Sequence, residues 1–546
     1  MSMLLLGICL FPVGFVVWAW EQSNGFPYFR DANETFLSYT HAVALYRYSP
    51  LQTMMLTFEN TQNENVIPAN PYTHNPNLPR YAHYLLMLLG IQDMPTQTLI
   101  ITVAGALGTM LTLRALLAAA VPAGAGVWLV LPLVFALDSM GFLTWAVNTY
   151  RVFAFLLLWG ALAVVARPAR WWAIAIVAFL VLQYEYAFAL VVITAAVVFA
   201  VLQHGRHAWR PILWLGIGAT VSVLVFGLQV VAFLGPSGAW ADLTSTVDRR
   251  SGAPIPLDRL WETIESAIAQ FYRWPIRELT LWSMASAPVV VLAGYLLRSR
   301  AWWSTELESR VLLAKLQLAL VAGVTVSAVL VRGYFSAAYV GTFIPCLVFV
   351  LTMGVATAGL DLALLLTLPL RLIHRRLTVL VPVARAIGFG AVAWLMIQNF
   401  GRVYELFPPF TGEFVSLLQT KYRDQPFVAP GNLHQLAYAL TGGSSIPSPL
   451  IVTEKELPSY ERYRSADGQL YYLCVMHPGT DTHCDRAATE MTAMGHHVRD
   501  RAPDFVIVEL VKDPIPVAAP PSPPAATPEP QPANQRNERS RPRRNR

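Results

Sequence analysis

Asp31 and Glu34 are the residues whose type and spacing most directly suggest chemistry. They stand at i and i+3, which on a helix puts both carboxylates on one face. They follow closely on an apolar run at 3–20. Acids at the edge of a bilayer are costly when buried without a partner, and a carboxylate near a hydroxyl can take its proton as that hydroxyl attacks. A second polar cluster, Thr73-His74-Asn75-Pro76-Asn77-Leu78-Pro79, precedes the main apolar stretch. An acid pair followed by a His/Pro cluster at this place points to chemistry on a substrate carried by a lipid.

Other charged groups stand where they could serve such a substrate. Arg249 and Arg250, in Val247-Asp248-Arg249-Arg250-Ser251-Gly252, and Arg332, in Val331-Arg332-Gly333-Tyr334, are candidates for a phosphate, which suits the planar donor fork of arginine. The opposing reading pairs Arg249 and Arg250 with Asp242 or Asp248 on a loop surface. Glu185, in Gln183-Tyr184-Glu185-Tyr186, would either line a cavity or face water.

The elements that must position these groups are membrane helices. The chain has 546 residues, 55% hydrophobic and only 13% charged, against about 25% charged in soluble domains. Apolar runs approach the roughly 20 residues needed to cross a bilayer. The run 3–20 has no preceding Lys or Arg and no small-residue cleavage site, so it reads as a retained helix rather than a signal peptide. Further spans are expected near 98–118, 123–137, 151–165, 171–183, 187–202, 212–234, 285–297, 312–331, 337–360 and 377–398. The fold class is therefore an all-α polytopic membrane protein of about eleven transmembrane helices.

Basic residues orient the spans. Arg167 and Arg170, then His204, Arg206, His207 and Arg210, then Arg298 and Arg300, then Arg371, His374, Arg375 and Arg376 fall on one face. The positive-inside rule makes that face cytoplasmic. The expected organisation is a membrane domain over 1–400, with outer loops at 21–95 and 235–281, then a small extracytoplasmic α/β domain over 401–513. Within that domain, 470–476 and 504–510 read as strands and 481–494 as a helix. Gly442-Gly443-Ser444-Ser445 is a loop signal with no phosphate-loop pattern around it. The N-terminus is then cytoplasmic, in a multi-pass inner membrane of bacterial type.

Cys474 and Cys484 lie ten positions apart on the outer side. A disulfide, a metal site with His477 and His483, and two unpaired thiols are the three readings. Cys9 and Cys346 fall within spans, where a thiol acts as a small hydrophobe. The net charge of +6 owes most to the tail 514–546, which carries Arg536, Arg539, Arg541, Arg543, Arg544 and Arg546 against Glu529 and Glu538. Dense in Pro, that tail is expected to lack fixed structure. No aromatic residues interleave its arginines, which argues against a specific nucleic-acid site.

The order of these features resembles the GT-C superfamily of polyprenyl-phosphate-sugar glycosyltransferases, in particular the family 39 branch related to protein O-mannosyltransferases. The resemblance rests on one span, a D-x-x-E-like acid pair in Pro27-Tyr28-Phe29-Arg30-Asp31-Ala32-Asn33-Glu34, an amphipathic segment at 35–48, the His74/Pro76 cluster of "HPPL" kind, a short apolar helix at 81–90, and a span with a central Arg114. It covers about the first 240 residues well and the rest loosely. It implies an inverting transferase with Asp31 as general base and Glu34 orienting acceptor or a divalent metal. His74 and the arginines would then bind substrate or phosphate. The partners implied are a polyprenyl-phosphate-linked sugar donor, membrane lipid, and an acceptor that is a protein, lipid or glycan. The family often carries another acid near the start of the span after its second outer loop. This chain has Asn148 there, with Asp138 upstream.

Two other functions carry distinct expectations for the sequence. A transporter or lipid flippase would need charges deep in several spans and paired repeats, and the sequence offers few such charges and no repeat. A non-catalytic scaffold displaying the C-terminal domain would tolerate replacement of the acid pair.

Overall fold

The computed structural model describes residues 33–58, 78–120, 152–167, 170–251, 274–297, 305–330 and 411–512 (short of 432, 454 and 476–482), with isolated residues such as Thr61, Thr149 and Asp361. The expected spans at 3–20, 123–137, 337–360 and 377–398 lie wholly or mostly outside them, as does the tail.

Before the first described span come two helices, α1 (Asn33–Tyr48) and α2 (Leu78–Leu88). The membrane helices follow: α3 (Met94–Ala120), α4 (Val152–Ala166), α5 (Trp171–Tyr184), α6 (Tyr186–His204), α7 (Trp209–Ser251), α8 (Ile276–Leu297) and α9 (Thr305–Leu330). Among the described residues, five helices are long and apolar enough to cross a membrane, and α4 and α5 are shorter apolar helices. The protein is a polytopic membrane protein.

The helical hairpin expected over 171–202 is present. Glu185 takes extended backbone (φ −164°, ψ 134°) and parts α5 from α6. At the other end, His204 Nε2 donates to the Val165 carbonyl at 2.7 Å, so the basic loops after α4 and after α6 lie at the same end of the bundle. Glycines set the closest crossings: a Cβ on Gly218 of α7 would overlap the Ala175 backbone of α5, and one on Gly323 of α9 would overlap the Val191 carbonyl of α6. Small residues let membrane helices approach in this way.

The outer loop expected over 235–281 is helical at both ends: α7 resumes after a single break and continues to Ser251, and α8 already starts at Ile276. Gly235 takes φ 72°, which ends one helix, and Pro236 opens the next at a position where its missing N–H costs nothing.

Inside the bundle, Arg310 of α9 is buried and bonded to Asp361 at 2.5 Å, Ser286 Oγ at 2.8 Å and the Ser283 carbonyl at 3.2 Å. Ser283 Oγ donates to Asp361 as well, at 3.3 Å. This ion pair ties α8, α9 and the segment bearing Asp361 together, and a charge among spans persists only when paired in this manner.

The C-terminal sheet has the order β2-β1-β3-β5-β4. Along the chain run α10 (Gly412–Thr420), β1 (Phe427–Pro430), α11 (Leu433–Thr441), β2 (Ser445–Ser448), α12 (Leu457–Tyr460), β3 (Tyr471–Val475), α13 (His483–Ala493), β4 (His497–Ala502) and β5 (Phe505–Glu509). β1 pairs in parallel with β2 and β3, while β5 pairs antiparallel with β3 and β4. Strand alternation sends side chains to two cores. Phe427, Leu473 and Ile507 face α10 and α11, while Val428, Tyr472 and Val508 face α13. Cys474 on β3 and Cys484 on α13 form a disulfide with a Cα–Cα distance of 5.7 Å. That pairing decides among the three cysteine readings and removes the metal one.

The first of those cores also contains Phe36 of α1 and Met94 of α3. The backbone N–H of Ser445 donates to the Thr61 carbonyl at 2.7 Å. α1 is thus enclosed from both sides. Phe36 packs into the sheet's core, and Ala44 and Tyr48 pack with Phe226 and Val230 of α7. The amphipathic reading of 35–48 is corrected accordingly: Thr35, Ser38, Thr40 and His41 are as buried as the apolar residues beside them.

Candidate functional site

α2 turns a polar stripe inward. Pro79 in its first turn suits helix initiation, and the buried Arg80, His83 and Met87 follow at i, i+3 and i+7, one face of a helix. Leu85, Leu88 and Leu89 face outward.

His83 is fully buried and doubly bonded. Gln97 of α3 donates through Nε2 to the Ile91 carbonyl at 2.6 Å, which aims its Oε1 at His83. His83 Nδ1 donates to that oxygen at 2.8 Å, and the Thr149 hydroxyl donates to His83 Nε2 at 3.0 Å. The backbone N–H of Thr149 in turn donates to Thr35 Oγ1 at 3.1 Å. Burial holds the His83 imidazole neutral, lowering it from the ordinary 6.5 to about 4, with the Gln97 bond opposing. The edge of Tyr39 meets its ring at 6.2 Å between centroids, and Tyr39 is anchored by donating to the Gln92 carbonyl.

Arg80, beside the neutral imidazole of His41, forms the cationic side of the cluster. Arg80 is 1% exposed and donates to Thr57 Oγ1 at 3.4 Å. His41, fully buried on α1, is held well below its ordinary value by burial and then by the positive charge of Arg80. Arg80 thus supplies a permanent charge in a water-poor environment, where its attraction for an anion is strongest.

The structure places the expected site residues unevenly. Asp31, His74, Asn148 and Arg332 lie outside the described residues. Glu34 sits in the first turn of α1, and Arg249 and Arg250 in the last turn of α7, with backbone alone described. Glu185 is buried at 4% exposure, which excludes the water-facing reading. Its neighbours join the site's frame: Gln183 donates to Ser222 Oγ at 3.0 Å, and Tyr186 packs with Ala44 and Tyr48 of α1. The Thr149–Thr35 bond places the neighbour of Asn148 against the neighbour of Glu34. Among the described residues no group of three His, Cys, Asp or Glu could hold a metal.

Arg80, His83, His41, Gln97 and Thr149 were missed from the sequence. For Arg80 and His83 a signal existed. The segment 78–89 places its charged and imidazole groups on one helical face and leucines on the other.

No protein-family model matches the sequence, and no curated protein matches it. Among solved structures, ArnT from Cupriavidus metallidurans in the apo state is 12% identical, with a TM-score of 0.44 over 87% of this chain and 95% of that one. ArnT from the same organism, bound to undecaprenyl phosphate, is 12% identical with a TM-score of 0.50, over 94% of this chain and 99% of that one. Across nearly the whole of both chains, the protein shares its fold with the ArnT bound to undecaprenyl phosphate.

Proposed function

We propose that this chain is an inverting glycosyltransferase. It moves a sugar from a polyprenyl-phosphate or polyprenyl-diphosphate donor to an acceptor on the extracytoplasmic side of a bacterial inner membrane. The observation that carries the reading is the buried Arg80 on α2, packed beneath the helix that begins at the acid pair. The shared fold supports it, as does the undecaprenyl phosphate bound to that ArnT. The order of Asp31, Glu34 and the His74/Pro76 cluster supports the family 39 branch within the GT-C class.

In this mechanism the acceptor hydroxyl attacks the anomeric carbon and the bond from that carbon to the phosphate oxygen breaks. Asp31 takes the hydroxyl proton as general base. Glu34 orients the acceptor, and it is the residue that would hold a divalent metal if one were bound. The lipid phosphate departs already charged, so it needs cations more than an acid. Arg80 serves it, with Arg249, Arg250 and Arg332 as further candidates. His74, Asn148 and Glu185 bind substrate around the reacting carbon. His83 stays neutral and holds the segments bearing Glu34 and Asn148 together.

The test is binding of undecaprenyl phosphate to the purified full chain, followed by native mass spectrometry. Charge-assisted hydrogen bonds are worth about 1.5–3 kcal/mol, so Arg80→Gln should weaken binding by roughly 10- to 100-fold. If the unaltered chain did not bind the lipid phosphate, the proposal would fail.

A further inference from the structure

The loop 49–55 exposes apolar side chains alongside Ser49 and Gln52. Leu51 is 86% exposed, Met54 43% and Met55 38%. The loop is held in that posture: Ser49, Met54 and Met55 all take positive φ, and Thr53 Oγ1 donates back to the Ser49 carbonyl at 3.2 Å. Positive φ in residues other than glycine is uncommon and persists only where the surroundings enforce it. Beside the loop, α2 is turned inside out, with Arg80 and His83 buried and Leu85, Leu88 and Leu89 exposed. The Tyr81 hydroxyl donates to the Met55 carbonyl at 2.7 Å and joins the two.

The depth of this surface is set by α7. Phe58 packs on Phe233 with ring centroids 5.2 Å apart, and Leu56 belongs to the same cluster. Phe233 stands just before the Gly235 break. From Trp209 to Leu234 the helix measures about 39 Å at its rise of 1.5 Å per residue, against about 30 Å of hydrocarbon. The Phe233 end therefore lies at a bilayer boundary, on the side of the candidate site.

We propose that the loop 49–55 and the leucine face of α2 form a membrane-inserted rim, immersed in the leaflet that borders the candidate site. The occupant is lipid. Exposed leucines and methionines at the level of the headgroups bury apolar area there, and the buried face of the same helix then holds Arg80 at the same depth. The inference rests on the membrane reading and not on the transferase reading.

The test uses the full chain in phosphatidylcholine nanodiscs, with Cys9→Ser and Cys346→Ser leaving only the disulfide. Nitroxide labels are placed at Leu51→Cys and Leu88→Cys, with Asp467→Cys in the C-terminal sheet region as the water-exposed reference. Labels about 5–10 Å into the acyl boundary should show oxygen-to-nickel-chelate collision ratios on the order of tenfold above the reference. Ratios equal to the reference would overturn the rim, and so would labels shielded from both reagents, which would mean a protein cover. The unaltered chain provides a second reading with a diazirine-bearing phosphatidylcholine. Adducts should map to peptides covering 49–55 and 85–89, and their absence there beside labelled spans would overturn the proposal.

Discussion

The backbone N–H of Thr149 donates to Thr35 Oγ1 at 3.1 Å, across 114 positions of sequence. Both residues are fully buried. The bond fixes the start of α1 against the segment that carries Asn148, and His83 secures the same threonine through its hydroxyl. Thr35→Val keeps the shape and removes the acceptor. An unsatisfied buried N–H costs about 1–3 kcal/mol, so thermal unfolding in detergent should show that loss, and Thr35→Ser should restore it. Thr40→Val is the control, since among the described residues its hydroxyl bonds the local Leu37 carbonyl.

His83 makes stability depend on pH with a definite sign. The folded chain keeps it neutral down to about 4, whereas an unfolded chain protonates it near 6.5. Between these values the unfolded state binds more protons, so the contribution is complete above about 6.5 and lost as pH falls toward about 4. The fall amounts to at most about 3 kcal/mol. His41 shifts in the same direction. Denaturant unfolding of His83→Gln should therefore show a shallower decline than the unaltered chain, the difference being the share of His83.

Of the Arg310–Asp361 pair, Arg310 is buried and the Asp361 side chain is 25% exposed. Arg310→Met leaves Asp361 without its cation, which costs about 1.5–3 kcal/mol, the worth of a hydrogen bond to a charged group. Replacing both, with Asp361→Leu added, should recover most of it. Unfolding of the three variants in mixed micelles measures the difference.

Loss of the Cys474–Cys484 disulfide should be felt locally. Its sequence separation is 10, and closing so short a loop contributes about 3 kcal/mol. In Cys474→Ala/Cys484→Ala, hydrogen exchange should quicken in β3 and α13, while α5 and α6 keep the protection of the unaltered chain.

Much of the fold was legible because its signals are local. The out-and-back hairpin followed from basic residues flanking two apolar runs, with Gln183 to Tyr186 between them. β3, β5 and α13 followed from β-forming alternation and helical spacing. β1 and β2 were not legible: each has four residues and contains a proline, Pro430 or Pro447. β4 reads His-Val-Arg-Asp-Arg-Ala and lies at the sheet's edge, where no apolar face is demanded. The burial of α1 is a tertiary fact, since the sheet's core covers one side and α7 the other. The clamp through His83, Gln97, Thr149 and Thr35 joins four distant segments, and single-chain periodicity carries no trace of such pairings.

The most direct measurement is transfer of a radiolabelled sugar from a polyprenyl-phosphate donor in membranes carrying Asp31→Asn, with folding verified by thermal unfolding and donor binding by native mass spectrometry. The predicted result is a loss of transfer of roughly 100-fold or more, the scale of a positioned general base, with undecaprenyl phosphate still bound and the unfolding temperature unchanged. Undiminished transfer by the folded variant would contradict the assignment of Asp31 and the mechanism built on it.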